Sequence, residues 1–264
     1  MHIFGPSSKG KTTALLTAIS CGGNPSRSSG LMTQWCSTQN SIYGLLRGNN
    51  GVPFGIDELS STNESNLSDC IYTLANGTEK HRLTREASYD VERNGTWATT
   101  IISTGEKSLL SCCNKNAGLN IRVLEINAEA ITPDADTAEK LTAGVKENYG
   151  HACSVLAHYL TELGRITLES RLKGWQKKLS DEFTNRDEYC NRITRKLAII
   201  MLTAELSGEI FKLPFKIDAI ETLLITSSEK QNISNPRDVF KNTMQCLISH
   251  LASHPDLYVK MVQA

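Results

Sequence analysis

Gly5-Pro6-Ser7-Ser8-Lys9-Gly10-Lys11-Thr12-Thr13 constrains this chain more than any other stretch, because it fits G-x-x-x-x-G-K-[ST] without a mismatch. The spacing has a chemical reason. Glycines at both ends let backbone N–H groups wrap a polyphosphate, and the helix that follows offers its positive end to the same anion. Lys11 is expected to reach the β- and γ-phosphates and Thr12 to ligate Mg²⁺. The flanks agree, since Met1-His2-Ile3-Phe4 reads as a short strand and residues 12–19 have helical composition and apolar spacing. Strand, glycine loop and helix in that order make 5–13 a candidate nucleotide site, against the alternative of a chance loop.

Further along, Cys21-Gly22-Gly23-Asn24-Pro25 and the polar run to Gly30 read as a loop. Leu31–Cys36 reads as a strand, and Ile42–Leu46 as a short helix. Val52-Pro53-Phe54-Gly55-Ile56-Asp57-Glu58 is an apolar strand ending in two acids. A buried parallel strand delivers such acids at its carboxyl end, beside the phosphate loop. There Asp57 would hold the Mg²⁺ shell and Glu58 would act as general base on water. The plain alternative is that both acids cap the next helix.

A helix start is expected at Ser61–Glu64, with Leu67, Cys70, Ile71 and Leu74 at helical spacing as far as Asn76-Gly77. The segment from Thr78 to Gly95 carries Lys80, Arg82, Arg85 and Arg93 between acids. It reads as a hairpin or loop reaching single-stranded DNA phosphates, or else as a solvated loop with local ion pairs. Thr96–Ser103 is rich in β-branched residues and reads as a strand ending in Ser103-Thr104-Gly105-Glu106. Thr104 stands there either as a γ-phosphate sensor or as a local hydrogen-bonding stop. Gly118–Ile126 reads as a fifth strand with Arg122 near its start, and the pattern turns helical from about Asp134. The run Leu141, Val145, Tyr149, Cys153, Leu156, Leu160 shows this, as does Leu197–Leu206. Leu213-Pro214-Phe215 breaks the last long helix.

Lys plus Arg and Asp plus Glu number 28 each among the 264 residues, which excludes a global basic field and requires any nucleic-acid contact to be local. Eight scattered cysteines contain no C-x-x-C pair, so reduced thiols in a cytoplasmic protein are expected. No apolar run approaches the ~20 residues of a membrane span.

Together the phosphate loop, Ile56-Asp57-Glu58, Leu74-Ala75-Asn76-Gly77 followed by Lys80, Arg82 and Arg85, Trp97, Ser103-Thr104-Gly105-Glu106 and Ile121-Arg122 carry a family likeness. The chain resembles the ATPase part of the domain-of-unknown-function 927 family, which occurs in phage and other mobile elements and is helicase-like. The likeness continues through Tyr149-Gly150 and 192–205. It implies an α/β P-loop NTPase core of the additional-strand type (AAA+ and superfamily III helicase-like) over residues 1–132. A helical C-terminal region over 133–264 would follow.

The resemblance further implies ATP and Mg²⁺ as cofactors, single-stranded DNA as partner, and a homo-oligomeric ring. It marks Arg122 as an arginine finger, the alternative being a surface strand arginine paired with Glu125 or a nearby acid. Family members are usually longer on the N-terminal side, whereas Met1 stands four residues before the loop. An upstream polypeptide partner, or a split or decayed copy, is the corresponding expectation. The function expected is an ATP-hydrolysing, helicase-like DNA motor, with a protein-binding regulatory switch or an inactive scaffold as alternatives.

Overall fold

The computed structural model describes residues 1–59, 67–79, 95–113, 117–184, 188–234, 244, 247–251 and 253. The chain opens with β1 (His2–Phe4), the glycine loop and α1 (Lys11–Ser20). A 3-10 turn, Arg27–Ser29, leads to β2 (Met32–Gln34) and α2 (Gln39–Leu46), whose N-cap Thr38 accepts from the Ser41 N–H. Then come β3 (Phe54–Asp57), α3 (Leu67–Asn76), β4 (Ile101–Gly105), α4 (Ala117–Arg122) and β5 (Glu125–Asn127). All the strand pairings are parallel, in the order β2-β3-β4-β1-β5, so the chain is α/β, with β4 inserted between β1 and β3.

A parallel sheet is covered on both faces, and the period of two decides which residues meet which layer. Phe54 and Ile56 join Trp35, Leu46, Ile71 and Leu74 in the core under α2 and α3. Gly55 faces the other way. A Cβ there would sit 3.1 Å from Ile19 and Met32, so the missing side chain lets α1 settle on the sheet. Leu15, Ile19, Met32 and Ile102 form the core on that side. With Gly55 opposite Ile102 in the register, Asp57 and Thr104 follow two residues later on the same face, under the glycine loop.

Helices follow: α5 (Ala135–Glu147), α6 (His151–Leu163), α7 (Arg165–Glu182), α8 (Glu188–Phe211) and α9 (Ile217–Ser234). The apolar run expected through Leu141 and Leu160 divides at Gly150, whose φ is 81° and whose N–H bonds the Ser20 carbonyl. Leu179, Tyr189, Ile193, Leu197, Met201 and Leu224 make a second core, which Ile121 joins from the sheet side. The break at Leu213–Phe215 falls between α8 and α9, as the sequence suggests. Gln231 of α9 ties these helices to the sheet, accepting from Glu125 N–H and donating to the carbonyls of Asn120 and Val123.

Two expected strands are corrected. Residues 117–122 form α4, and only Glu125–Asn127 pair as β5. The strand expected from Thr96 begins at Ile101. Thr96 instead pairs antiparallel with Thr78, with Trp97 N–H bonding Gly77 O and Glu79 N–H bonding Gly95 O. This short ladder pins both ends of the 78–95 segment, and Arg47 clamps Glu79 through two bonds of 2.8 and 2.7 Å. Lys80, Arg82, Arg85, Arg93 and Ser61–Glu64 lie outside the described residues. Among the described residues the seven cysteines form no disulfide, and no helix is long and apolar enough to cross a membrane.

Candidate functional site

The glycine loop arches over the carboxyl ends of β1, β3 and β4. Gly5 has φ 150°, and a Cβ on it would stand 2.3 Å from the Ala128 carbonyl oxygen. Gly10 has φ 83° and would collide with Thr132 at 2.6 Å. The first and last glycines of the motif are therefore required by the packing of the loop against the β5–α5 connection, which Ile131 N–H also ties to Lys9 O at 2.9 Å. Gly10 is the N-cap of α1 and has no side chain to satisfy the helix's first N–H groups.

Beside the loop lies a cleft of about 1010 Å³, lined by Ser7 to Thr13, Arg27, Asp57, Glu58, Thr104 and one face of α5. Lys11 is nearly buried, and its ammonium turns back on the Gly5 and Pro6 carbonyls at 2.9 and 2.6 Å. Thr13 is buried in the first turn of α1. Asp57 is the hub. Its Oδ1 accepts from Thr104 Oγ1 and from Thr12 Oγ1 at 3.3 Å, and its Oδ2 from Arg27 at 3.0 Å. The carboxylate thus faces the loop and does not cap a following helix.

Glu58 follows with φ 68°, its N–H bonded to Thr104 Oγ1 at 3.3 Å and its Oε2 held by the Gln34 amide at 3.0 Å. Left-handed backbone in a residue with a side chain is strained and marks a position held by its surroundings. On the opposite face His2 fixes β4. Nε2 donates to Lys107 O at 3.0 Å, leaving Nδ1 to accept from Ser103 Oγ at 2.8 Å, and burial pushes the imidazole pKa down to about 4.

Lys11, Thr12, Asp57, Glu58 and Thr104 therefore converge in one cleft. The Thr12 and Asp57 oxygens are hard donors 3.3 Å apart. They suit Mg²⁺, which takes one or two protein oxygens and completes its shell with waters and phosphates. Among the described residues no three His, Cys, Asp or Glu side chains gather as a metal cage.

Arg122 is elsewhere. It ends α4 on the amino side of β5, at the sheet end remote from the loop, donating to Gly118 O and lying 4.8 Å over the Tyr72 ring. It does not pair with Glu125, whose carboxylate accepts from Ser108 and from Leu110 N–H. Two site residues escaped the sequence reading: Arg27 and Gln34 carry no motif, and only the packing of the 3-10 turn and β2 beside β3 brings them in.

Residues 1–94 match the family model described as a domain of unknown function, DUF927. The DUF927 match takes in the glycine loop, Arg27, Gln34, Asp57 and Glu58, and stops short of Thr104 and Arg122. Among solved structures the chain is similar to the SCCmec type IV Cch active helicase, at 28% identity and a TM-score of 0.77. That similarity covers 96% of this chain and 46% of the helicase, so the chain spans less than half of that protein's length. NtrX from Brucella abortus in complex with ADP is 12% identical with a TM-score of 0.30, covering 96% of this chain and 64% of that one. No curated protein matches the chain.

Proposed function

We propose that this chain is a P-loop ATPase core of the additional-strand type, serving in the cytoplasm as the motor of a mobile-element, helicase-like protein. The observation that carries the reading is the convergence of Thr12, Asp57 and Thr104 beneath the glycine loop, at the strand ends of a β2-β3-β4-β1-β5 sheet. The 28% identity to a mobile-element helicase supports the motor half of it. In this reading residues 1–132 are the ATPase core and 133–264 its helical companion.

ATP enters with its phosphates against the loop N–H groups and the α1 N-terminus. Lys11 leaves the Gly5 and Pro6 carbonyls for the β- and γ-phosphates, while Thr12 and Asp57 hold Mg²⁺. Held by Thr12 and Asp57, such an ion would supply positive charge against the phosphates. Glu58 takes a proton from water as the new O–P bond forms. The bond from the γ-phosphorus to the bridging oxygen breaks, and ADP keeps that electron pair. Thr104, bonded to both Asp57 and the Glu58 N–H, keeps the two acids in register. Single-stranded DNA is the proposed partner, reached by Lys80, Arg82 and Arg85 on a segment whose base the Thr78–Thr96 ladder closes.

The test is turnover of ATP with and without single-stranded DNA, for wild type, Lys11→Ala and Glu58→Gln. Lys11→Ala should lose nucleotide affinity. Glu58→Gln should keep it and lose about 10²–10³ in turnover, the scale of removing one preorganised catalytic group. Wild-type turnover in Glu58→Gln would remove the general base, and turnover indifferent to DNA would favour the switch over the motor.

A further inference from the structure

We propose that Arg27 is a resident counter-cation of Asp57, displaced when a divalent ion loads, and that its freed guanidinium then binds the γ-phosphate from within the same subunit. The proposal deepens the nucleotide reading above and rests on it for its second half.

The Asp57 side chain is 4% exposed, and a carboxylate so buried is strongly unfavourable unless its charge is met. Thr12 and Thr104 supply neutral hydroxyls to Oδ1, so Arg27, on Oδ2 at 3.0 Å, is the one cation that the described structure gives it. Arg27 is therefore the positive charge of a site whose other donors suit a metal ion. Its own surroundings are different. The side chain is 52% exposed and stands on a 3-10 turn held by the Ser26 hydroxyl, which accepts from Ser28 N–H. Leaving Asp57 takes only a side-chain rotation into solvent already present.

Two positive charges on one carboxylate compete. A doubly charged ion between Thr12 and Asp57 repels the guanidinium and takes over the neutralisation. The released fork remains in the cleft that Lys11, Thr12 and Glu58 line. A planar guanidinium suits two oxygens of one phosphoryl group, where charge grows as the γ-phosphate transfers. An arginine supplied in cis is chemically equivalent to one supplied by a neighbour. The exchange would couple metal loading to assembly of the catalytic charges.

The experiment begins with Mn²⁺ alone, titrated by electron paramagnetic resonance into wild type, Arg27→Ala, Arg27→Gln and Asp57→Asn without nucleotide. Both Arg27 variants should bind Mn²⁺ about fivefold more tightly, the scale of losing competition from an ion pair with one exposed partner. Asp57→Asn should lose Mn²⁺ binding. ATP affinity in EDTA should be the same in wild type and Arg27→Ala, while Mg²⁺-dependent turnover falls roughly 10²-fold.

Unchanged or weaker Mn²⁺ binding in both Arg27 variants overturns the exchange, whatever ATP does. Tighter Mn²⁺ binding with turnover intact overturns the phosphate half. A wild type that binds Mn²⁺ but no ATP, with Lys11→Ala behaving alike, overturns the nucleotide reading instead and takes the phosphate half with it.

Discussion

Thr104 meets two acids through one oxygen, donating to Asp57 Oδ1 and accepting from the Glu58 N–H. Thr104→Val keeps the shape and removes both bonds in a buried place. A hydrogen bond to a charged group contributes about 1.5–3 kcal/mol, so urea unfolding should show a loss on that scale. Turnover should also fall about tenfold as Glu58 loses its register, and Thr104→Ser should recover most of both. His2, behind the same strand, makes a pH prediction. Its folded pKa is lowered to about 4 from 6.5 by burial, so the unfolded chain takes up the proton first. The stability His2 contributes is complete above about pH 6.5 and is lost as pH falls from there through about 4, by about 3 kcal/mol in all. Glu125, opposite His2 in the β1–β5 register, has its pKa raised by burial and gains stability as pH falls, which offsets part of the loss. Urea midpoints at pH 7 and pH 4.5 should differ markedly in wild type and less in His2→Gln. The residues of this site were legible unequally. Lys11, Thr12 and Asp57 follow from a motif and a strand end, whereas Arg27 and Gln34 are ordinary polar residues whose role exists only once β2 lies beside β3.

At the scale of elements, α9 holds the start of β5 through Gln231, which is buried and satisfies three backbone groups of the 120–125 stretch. Gln231→Leu leaves Glu125 N–H and two carbonyls without that partner. Each buried orphan costs about 1–3 kcal/mol, so a loss of about 3 kcal/mol or more is expected in chemical unfolding, with Gln231→Glu recovering little because it cannot donate. A loss below about 1 kcal/mol would mean that water takes over the amide's role. The same contacts explain why α4 was unreadable. Leu119, Ile121 and Val123 alternate as a strand should, and all three are buried. What makes the backbone helical instead is supplied from more than 70 residues away, by Lys196 on Ile121 O and by Gln231 on Asn120 O and Val123 O. β1, β2, β3 and α1 to α3 depended on local periodicity and breakers, and their cores follow from it. The ladder at 77–79 and 95–97 depends on Gly77, whose φ is 71° and whose Cβ would stand 2.4 Å from Trp97 O. Asn76-Gly77 marks the end of α3 in the sequence, but the stretch that pairs beyond it, at 95–97, is distant in the chain.

For the whole molecule, the loop and Arg122 lie at opposite ends of one parallel sheet. Gly5 follows β1 at its carboxyl end, while Arg122 precedes β5, which runs parallel beside β1. Arg122 therefore cannot serve its own loop, and the proposed ring would bring it to the loop of a neighbouring subunit. Packing subunits head to tail brings unlike ends together, and when the rotation closes it gives a ring. Arg122 is half-buried, braced by Gly118 O and the Tyr72 ring, and next to Lys196, whose own pKa is lowered by burial and by the Arg122 charge. That crowding of positive groups at one end favours an anionic partner there. An arginine supplied by a neighbour is worth ~10³–10⁵ in turnover. Arg122→Ala and Lys11→Ala proteins should each be nearly inactive, for different reasons: one lacks the charge it lends, the other the lysine that receives the nucleotide. Mixed at equal concentration, they should regain a measurable share of wild-type turnover, because some interfaces then join an intact loop to an intact Arg122. The share should rise with protein concentration as assembly proceeds. A mixture as inactive as its components, at concentrations where light scattering shows an assembled species, would confine Arg122 to bracing α4 within its own chain.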